Sequence, residues 1–214
     1  MLIKMKIETS VKLVLITVLL SCGVSAVAQQ SASQPQKMVA AQAADRFEVA
    51  LGFNATYADQ AQSTNTFWLT GGSAEVAARL YHAVSLAVNV AGLEYSPSGT
   101  SAVGLNLLTF TAGPRLSWSP PGTSPHKMTI FGEGLVGGAH GFDSVFPATG
   151  APTSTANSLA VQASAGADVA LSQHVSLRIL QGGYLRTALP NSTNSNNVQN
   201  DFQVGAGIVF RSGH

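Results

Sequence analysis

The last stretch of the chain, residues 201–210 (DFQVGAGIVF), alternates between large apolar residues and polar or small ones. A period of two places the first set on one face of a β-strand and the second set on the other. The apolar face carries two aromatic residues, Phe202 and Phe210, whereas glycine and glutamine dominate the opposite face. This pattern predicts a strand that closes a barrel whose exterior faces lipid.

Seven further segments upstream repeat the alternation. Their connections also alternate in length: longer polar or Pro/Ser-rich loops follow the odd strands, and mostly shorter turns follow the even ones, the pattern of extracellular loops and periplasmic turns. We therefore predict an all-β fold, an eight-stranded antiparallel up-and-down transmembrane β-barrel with meander topology. The predicted strands are 46–57, 67–80, one that begins at Val84, 102–118, 127–140, 158–171, 175–187 and 201–210.

Eight strands close a barrel just wide enough for side chains to fill its interior. We therefore expect a filled lumen and no open pore. Pro114 lies inside the fourth predicted strand and cannot donate a ladder hydrogen bond, so we expect a bulge or irregular pairing there.

The composition supports a membrane barrel. The chain has 214 residues, of which 10% are charged, against about 25% in a typical soluble domain. Beyond the N-terminus no segment reaches the roughly 18 consecutive apolar residues of a spanning helix. A soluble lipocalin-like barrel remains an alternative, but it should carry many outward Lys and Glu residues.

The N-terminus has the pattern of a secretory signal peptide. Positive residues precede the short apolar run 13–22, and Ala26-Val27-Ala28 provides a small-x-small cleavage pattern. We predict a signal peptide at 1–28 cut after Ala28, a flexible periplasmic leader at 29–44, a barrel at 45–211 and a tail at 212–214. A lipoprotein with Cys22 as the lipidated residue is the alternative. Cleavage would remove the only cysteine and leave a nearly neutral chain without a basic patch for nucleic acid.

Strand parity sends several charged side chains into the lumen. Because an unpaired buried charge is very costly, acids and bases brought together inside a barrel are expected to pair. We predict a structural ion-pair network; a selective conduit would instead show a surplus of one sign. The network consists of Glu48, Glu75, Arg79, Arg115, Glu133, Asp168, Arg178 and Arg186.

One group of residues is a candidate catalytic site. His140, Asp143 and Ser144 lie within HGFDS at the start of a long loop, and catalysis requires a nucleophile within hydrogen-bond reach of a base. Three such residues within a short loop segment are common by chance, and no HExxH spacing occurs. We therefore predict no catalytic residues, no metal site and no cofactor.

The chain resembles the small eight-stranded outer-membrane β-barrel proteins of Gram-negative-type bacteria, the class of the outer membrane protein A transmembrane domain and the opacity porin-like proteins. The resemblance covers roughly residues 45–211 and rests on the strand count and three stretches: TFTAGPRLSW (109–118), GADVALSQHVSLRI (166–179) and the last strand. That family's closing strand carries an assembly signal, which Gln203, Gly205, Ile208 and Phe210 match. Family members usually end on the final aromatic residue, whereas residues 211–214 continue here.

The resemblance implies insertion by the outer-membrane assembly machinery, and the predicted signal peptide implies export, so we expect the chain in the cell outer membrane. The expected partners are that machinery and outer-membrane lipid, with no nucleic acid and a monomeric barrel. The family implies no single function. We therefore expect a non-enzymatic role that is structural, envelope-stabilising or exerted through the extracellular loops; a lipid-modifying enzyme using His140 and Ser144, or a narrow channel, are the alternatives.

Overall fold

The computed structural model describes residues 47–59, 66–95, 104–120, 127–148, 150–190 and 197–212. The predicted signal peptide with its cleavage point at Ala28, the alternative lipidation site Cys22 and the predicted leader 29–44 lie outside the described residues. The described residues contain no helix long and apolar enough to span a membrane.

Eight antiparallel strands, each hydrogen-bonded to its neighbours in sequence order, form a closed barrel. The last strand pairs with the first, so no strand edge remains open. The predicted all-β meander is therefore confirmed. The strands are β1 (Phe47–Asp59), β2 (Thr66–Tyr81), β3 (Val84–Tyr95), β4 (Leu105–Trp118), β5 (Met128–Phe142), β6 (Ala156–Ala170), β7 (Val175–Thr187) and β8 (Gln199–Ser212).

The two faces of the sheet differ as the alternation predicts. Large apolar side chains cover the outside: Phe110 is 58% exposed, Trp118 60% and Phe202 63%. Polar side chains such as Thr56, Asn89 and Thr111 are buried on the inside. An apolar exterior around a partly polar interior is the arrangement of a lipid-facing barrel and the reverse of a soluble one.

The barrel has two distinct ends. We call the end where β1 begins the turn end; it carries the two-residue turn His82–Ala83 and the connections 119–127 and 171–174. The opposite end, with the connections 143–155 and 188–198, is the loop end. Paired residues do not stay at one level around the barrel. Following the pairing from Thr56, near the loop end of β1, through β8, β7, β6, β5, β4 and β3 leads to Arg79 at the turn end of β2.

A bulge in β7 corrects part of the prediction. Arg178 pairs with Gly207 and Gln181 with Gly205, so β7 spans the interval with one residue more than β8. Ile179 and Leu180 consequently both face outward, at 50% and 59% exposure. Every later residue of β7 changes face relative to an uninterrupted alternation. Tyr184 and Arg186, predicted to point inward, therefore lie on the outer side.

Pro114 causes a smaller irregularity than a bulge. The register between β3 and β4 is continuous through Leu86 and Pro114. On the other side, pairing with β5 is interrupted between Ala112 and Arg115 and resumes in the same register. The missing proline N–H therefore costs local pairing without displacing the strand.

A candidate functional site in the barrel lumen

The lumen near the turn end is filled by a ring of alternating acidic and basic side chains. Arg115 contacts Glu48 at 3.8 Å and bonds Glu75, which also receives a bond from Arg178 at 3.1 Å. The chain of contacts then continues through Asp168 to Arg211 and returns to Glu48. Arg178 lies 2.9 Å from Asp168, and Arg211 lies 3.3 Å from Asp168 and 3.0 Å from Glu48. We call these six residues the charge ring.

Glu133 joins the charge ring from β5. Its carboxylate accepts bonds from Arg115, whose Nη2 lies 2.8 Å away, and from the hydroxyl of Ser164. The amide of Gln181 donates to it as well, at 3.3 Å. With Glu133 the cluster holds four carboxylates and three guanidiniums, so neutral donors make up for the missing cation.

An aromatic side chain supports the guanidiniums of the charge ring. The Phe131 ring lies between Arg115 and Arg178, with each guanidinium carbon 4.2 Å from the ring centroid. Such cation–π contacts are stronger when the cation is desolvated. Gly166 makes room for the ring, because a Cβ there would lie 2.6 Å from Cζ of Phe131 and 2.7 Å from the Leu180 carbonyl oxygen.

The charge ring differs from the predicted network in three arginines. The structure brings all four predicted acids together with Arg115 and Arg178. Arg79 has no ion pair within the described part of the chain, and Arg186 is on the outer wall because of the β7 bulge. Arg211 takes part instead, also bonding Ser176. Extending the parity of the last predicted strand by one more inward position after Val209 would have found it.

Polar side chains fill the middle of the lumen above the charge ring. A small cavity of about 10 Å³ remains there, which is room for about one water molecule. Polar groups bond one another around it: the Gln203 amide donates to the Thr56 hydroxyl of the neighbouring strand at 3.3 Å, and the Thr111 hydroxyl on β4 donates to the Gln162 side chain on β6 at 3.5 Å. The cavity lining includes Asn54, Ser73, Asn89, Gln162, Gln181 and Gln203.

The loop-end part of the lumen is apolar, a feature that the alternation of the strands does not predict. Side chains from several strands point inward here and pack into one buried cluster, which we call the apolar plug. Leu69 and Leu185 at its centre are 1% and 0% exposed. The apolar plug consists of Ala58, Leu69, Leu93, Leu107, Ala139, Phe146, Ala160, Leu185 and Leu189.

The apolar plug is completed by residues from two loops. Phe146 belongs to the connection between β5 and β6, where its backbone forms two hydrogen bonds with Thr153, of 2.8 and 2.9 Å. This short hairpin directs the Phe146 ring onto Gly141, where a Cβ would lie 2.7 Å from its Cζ. Leu189 follows β7 and is held by the Gln199 side chain, which bonds both its N–H and its carbonyl at 2.9 Å.

The residues weighed as a catalytic group take part in other contacts. His140 lies on the outward-facing parity of β5, and its Nδ1 is 2.7 Å from Oδ1 of Asn157. Asp143, whose φ is 55°, accepts a bond of 2.9 Å from the Asn106 amide. Within the described residues neither side chain bonds Ser144. Nor do these residues contain a group of three or more potential metal-ligating side chains.

The predicted assembly signal spans both faces of β8. Gln203 and Gly205 face the lumen, whereas Ile208 and Phe210 are exposed on the outer wall at 45% each. The strand continues past Phe210 to Ser212, where β8 still pairs with β1. Ser212, the first residue of the predicted tail, therefore belongs to the barrel.

Solved structures of small bacterial outer-membrane barrels are similar to this one. Neisserial surface protein A (NspA) matches with a TM-score of 0.51 and 15% identity over 78% of this chain and 97% of that one. Ail, the attachment invasion locus protein of Yersinia pestis, matches with a TM-score of 0.50 and 13% identity over 78% of this chain and 99% of that one. This chain has the fold of the small eight-stranded outer-membrane barrels.

At these identities the likeness concerns the fold alone. No protein-family model matches the sequence. No curated protein matches it either. The lumen contacts and the outer wall therefore carry the functional interpretation.

Proposed function

We propose that the protein is a non-conducting, non-enzymatic barrel of the bacterial outer membrane that acts through its outer surface and loops. The observation that carries the proposal is the filling of the lumen. The charge ring occupies the turn end, the apolar plug occupies the loop end, and the cavity between them has room for about one water molecule. Solute passage would require both seals to open.

The role is either to stabilise the envelope or to contact partners at the cell surface. The connection 143–155 supports the second possibility, because its Phe146–Thr153 pair gives the loop a defined shape. Phe146 fixes the loop to the barrel, while Val145 beside it is 58% exposed. A loop fixed at its base loses less conformational entropy on binding than a free one.

The route to the membrane is part of the same proposal. A signal peptide cut after Ala28 would export the chain, and Gln203, Gly205, Ile208 and Phe210 would be recognised by the assembly machinery. The inserted barrel would be a monomer surrounded by outer-membrane lipid. Replacing Phe210 with serine should then lower the yield of inserted barrel while leaving the exported amount unchanged, as measured by membrane fractionation.

Single-channel recording tests the closed lumen. Purified protein added to a planar bilayer should give no conductance steps above background, with a large porin as the positive control. Unboiled samples should also migrate faster than boiled ones on a gel, which verifies that the barrel is closed. Regular conductance steps from heat-modifiable protein would contradict the proposal.

A strain that lacks the protein can separate the two roles. Sensitivity to detergent should rise in that strain if the barrel stabilises the envelope. A variant with residues 147–152 replaced by Asn-Gly keeps the Phe146–Thr153 pair and hence the apolar plug. The loop carries the interaction, and the barrel carries the structural role, if this variant restores detergent resistance without restoring the binding of cells to a surface partner.

The enzyme alternative has its own test. Changing both His140→Ala and Ser144→Ala should leave the composition of outer-membrane lipid A unchanged. An altered lipid profile in that double variant, with normal barrel formation, would establish catalysis and overturn the non-enzymatic assignment.

A further inference from the structure

Part of the lipid-facing wall is a shallow depression. A groove of about 500 Å³ lies across β5, β6 and β7, where the outward side chains shrink to glycine and alanine. Its floor includes Gly132, Ala163, Ala165 and Gly182. A Cβ at Gly182 would meet no atom within 4 Å, so the space above this floor is open.

Two aromatic residues form one side of the groove. The rings of Tyr184 on β7 and Phe202 on β8 meet edge to face, with centroids 5.8 Å apart. The Tyr184 hydroxyl donates to the side chain of Asn200 on the loop-end side. An apolar ring with a polar tip suits the boundary between hydrocarbon and lipid headgroups.

A cation stands at the loop end of the groove. Arg186 follows Tyr184 on the same outward face of β7 and is exposed. It pairs in register with Val161 and Asn200, and it has no ion pair with any of the described residues. A charged side chain on the lipid face of a barrel is destabilising unless it reaches the interface or an anionic partner.

We propose that the groove and Arg186 form a binding site for a lipid with an anionic phosphate headgroup. An acyl chain lies along the Gly–Ala floor against Tyr184 and Phe202. The headgroup phosphate receives hydrogen bonds from the Arg186 guanidinium, whose planar fork matches phosphate oxygens. This inference depends on the proposed membrane location, and its test keeps the two separable.

Charge favours a lipid over a second copy of the chain in this groove. Two copies inserted in the same direction are related by an axis along the membrane normal. Packing groove against groove would then place Arg186 opposite its own counterpart at the same depth. Two guanidiniums facing each other in a poorly solvated region repel, whereas a phosphate neutralises one.

Native mass spectrometry in a neutral detergent provides the test. The folded barrel is mixed with phosphatidylglycerol or phosphatidylcholine of identical acyl chains, and retained lipid is counted. Arg186→Gln removes the charge, Arg186→Lys keeps the charge without the fork, and Ala163→Leu fills the floor. Arg79→Gln, which removes an arginine near the turn end, is the matched control.

The barrel should retain phosphatidylglycerol about tenfold better than phosphatidylcholine, because the choline cation of phosphatidylcholine offsets the phosphate charge that Arg186 would otherwise neutralise. Arg186→Gln should abolish this preference, Arg186→Lys should keep part of it, and Arg79→Gln should leave it intact. Ala163→Leu should reduce retention of both lipids.

Three results would overturn the lipid site. They are an unchanged preference in Arg186→Gln, an equal loss in Arg79→Gln, or a dimer that Ala163→Leu dissociates. Heat-modifiable mobility, measured on every variant, reports on barrel formation separately. A protein that shows no such mobility contradicts the proposed function itself.

Discussion

At the scale of single residues, Arg115 is the arginine of the charge ring that contacts the largest number of carboxylates. It is 1% exposed and contacts Glu48, Glu75 and Glu133. Replacing it with methionine keeps much of the volume but leaves buried carboxylates without their cation. We expect a loss of about 3–5 kcal/mol in the free energy of unfolding, measured by urea titration in lipid vesicles.

Arg79 is the matched control for that experiment, because it lies near the turn end without an ion pair to any described residue. Arg79→Met should change the free energy of unfolding by no more than about 0.5 kcal/mol. Equal losses from the two substitutions would mean that the charge ring adds nothing specific. Adding Glu133→Gln to Arg115→Met should recover part of the stability, since it removes one of the orphaned charges.

Two glycines of β5 make a second residue-scale comparison. A Cβ at Gly137 would lie 1.9 Å from the Phe110 carbonyl oxygen, whereas one at Gly134 would meet nothing within 4 Å. Gly137→Ala should therefore cost about 1–3 kcal/mol of unfolding free energy. Gly134→Ala should be neutral or stabilising by up to about 1 kcal/mol, because glycine loses more entropy on folding. Equal effects of the two substitutions on the free energy of unfolding would show that the backbone contact at Gly137 adds no cost of its own.

Sequence parity places a residue correctly wherever the alternation is unbroken. Glu48, Glu75 and Asp168 all lie on strands whose period is intact up to their positions, and all point inward as predicted. Arg211 was missed because the predicted strand ended at Phe210, one residue before the next inward position. Acid–base matching within the lumen cannot be deduced from parity alone, because it depends on reach across the barrel.

At the scale of elements, the β7 bulge determines which residues face lipid. Adjacent large apolar residues, Ile179 and Leu180, are its signal in the sequence, but such a doublet also occurs in regular strands. A cysteine scan on a chain beginning after Ala28, which has no native cysteine, tests the change of face. In detergent, Arg186→Cys should react with a maleimide, and Leu185→Cys should stay protected in the apolar plug.

Positions before the bulge supply the internal standard. Leu177→Cys should react with the maleimide and Ser176→Cys should not. An uninterrupted strand predicts the same result at these two positions. The reverse order at 185 and 186, with the expected order at 176 and 177, would mean that β7 is regular and that Arg186 faces the lumen after all. That result would also remove the basis for the lipid site.

The apolar plug shows what an element pattern leaves out. Leu69 and Leu107 each lie on a strand that is apolar on both faces near the loop end, and Leu185 lies beyond the β7 bulge, where uninterrupted parity assigns the wrong face. Alternation therefore weakens there, and the sequence pattern does not distinguish a buried lumen residue from a lipid-facing one. The order and number of strands follow from turn chemistry and loop length, but the convergence of these side chains requires the register around the barrel.

At the scale of the whole molecule, the two seals act in series. The charge ring excludes solutes by dense ion pairing, and the apolar plug excludes them because water does not wet it. They lie at opposite ends of the barrel and are separated by the polar middle layer, so removing side chains from one leaves the contacts of the other in place. Loss of a single seal should therefore be silent in a conductance measurement while being visible in a stability measurement.

The loop-end seal can be opened by removing its two loop contributions. Phe146→Ala with Leu189→Ala should lower the free energy of unfolding by roughly 3–5 kcal/mol, since a buried aromatic and a buried leucine are truncated together and loop relaxation offsets part of the loss. Planar-bilayer recording should nevertheless show no conductance steps, because the charge ring still closes the turn end. Val145→Ala with Val204→Ala truncates two apolar side chains at exposed positions and should alter neither quantity appreciably. Conductance in the plug variant, with heat-modifiable mobility intact, would show that the charge ring admits ions and that the apolar plug alone keeps the barrel closed.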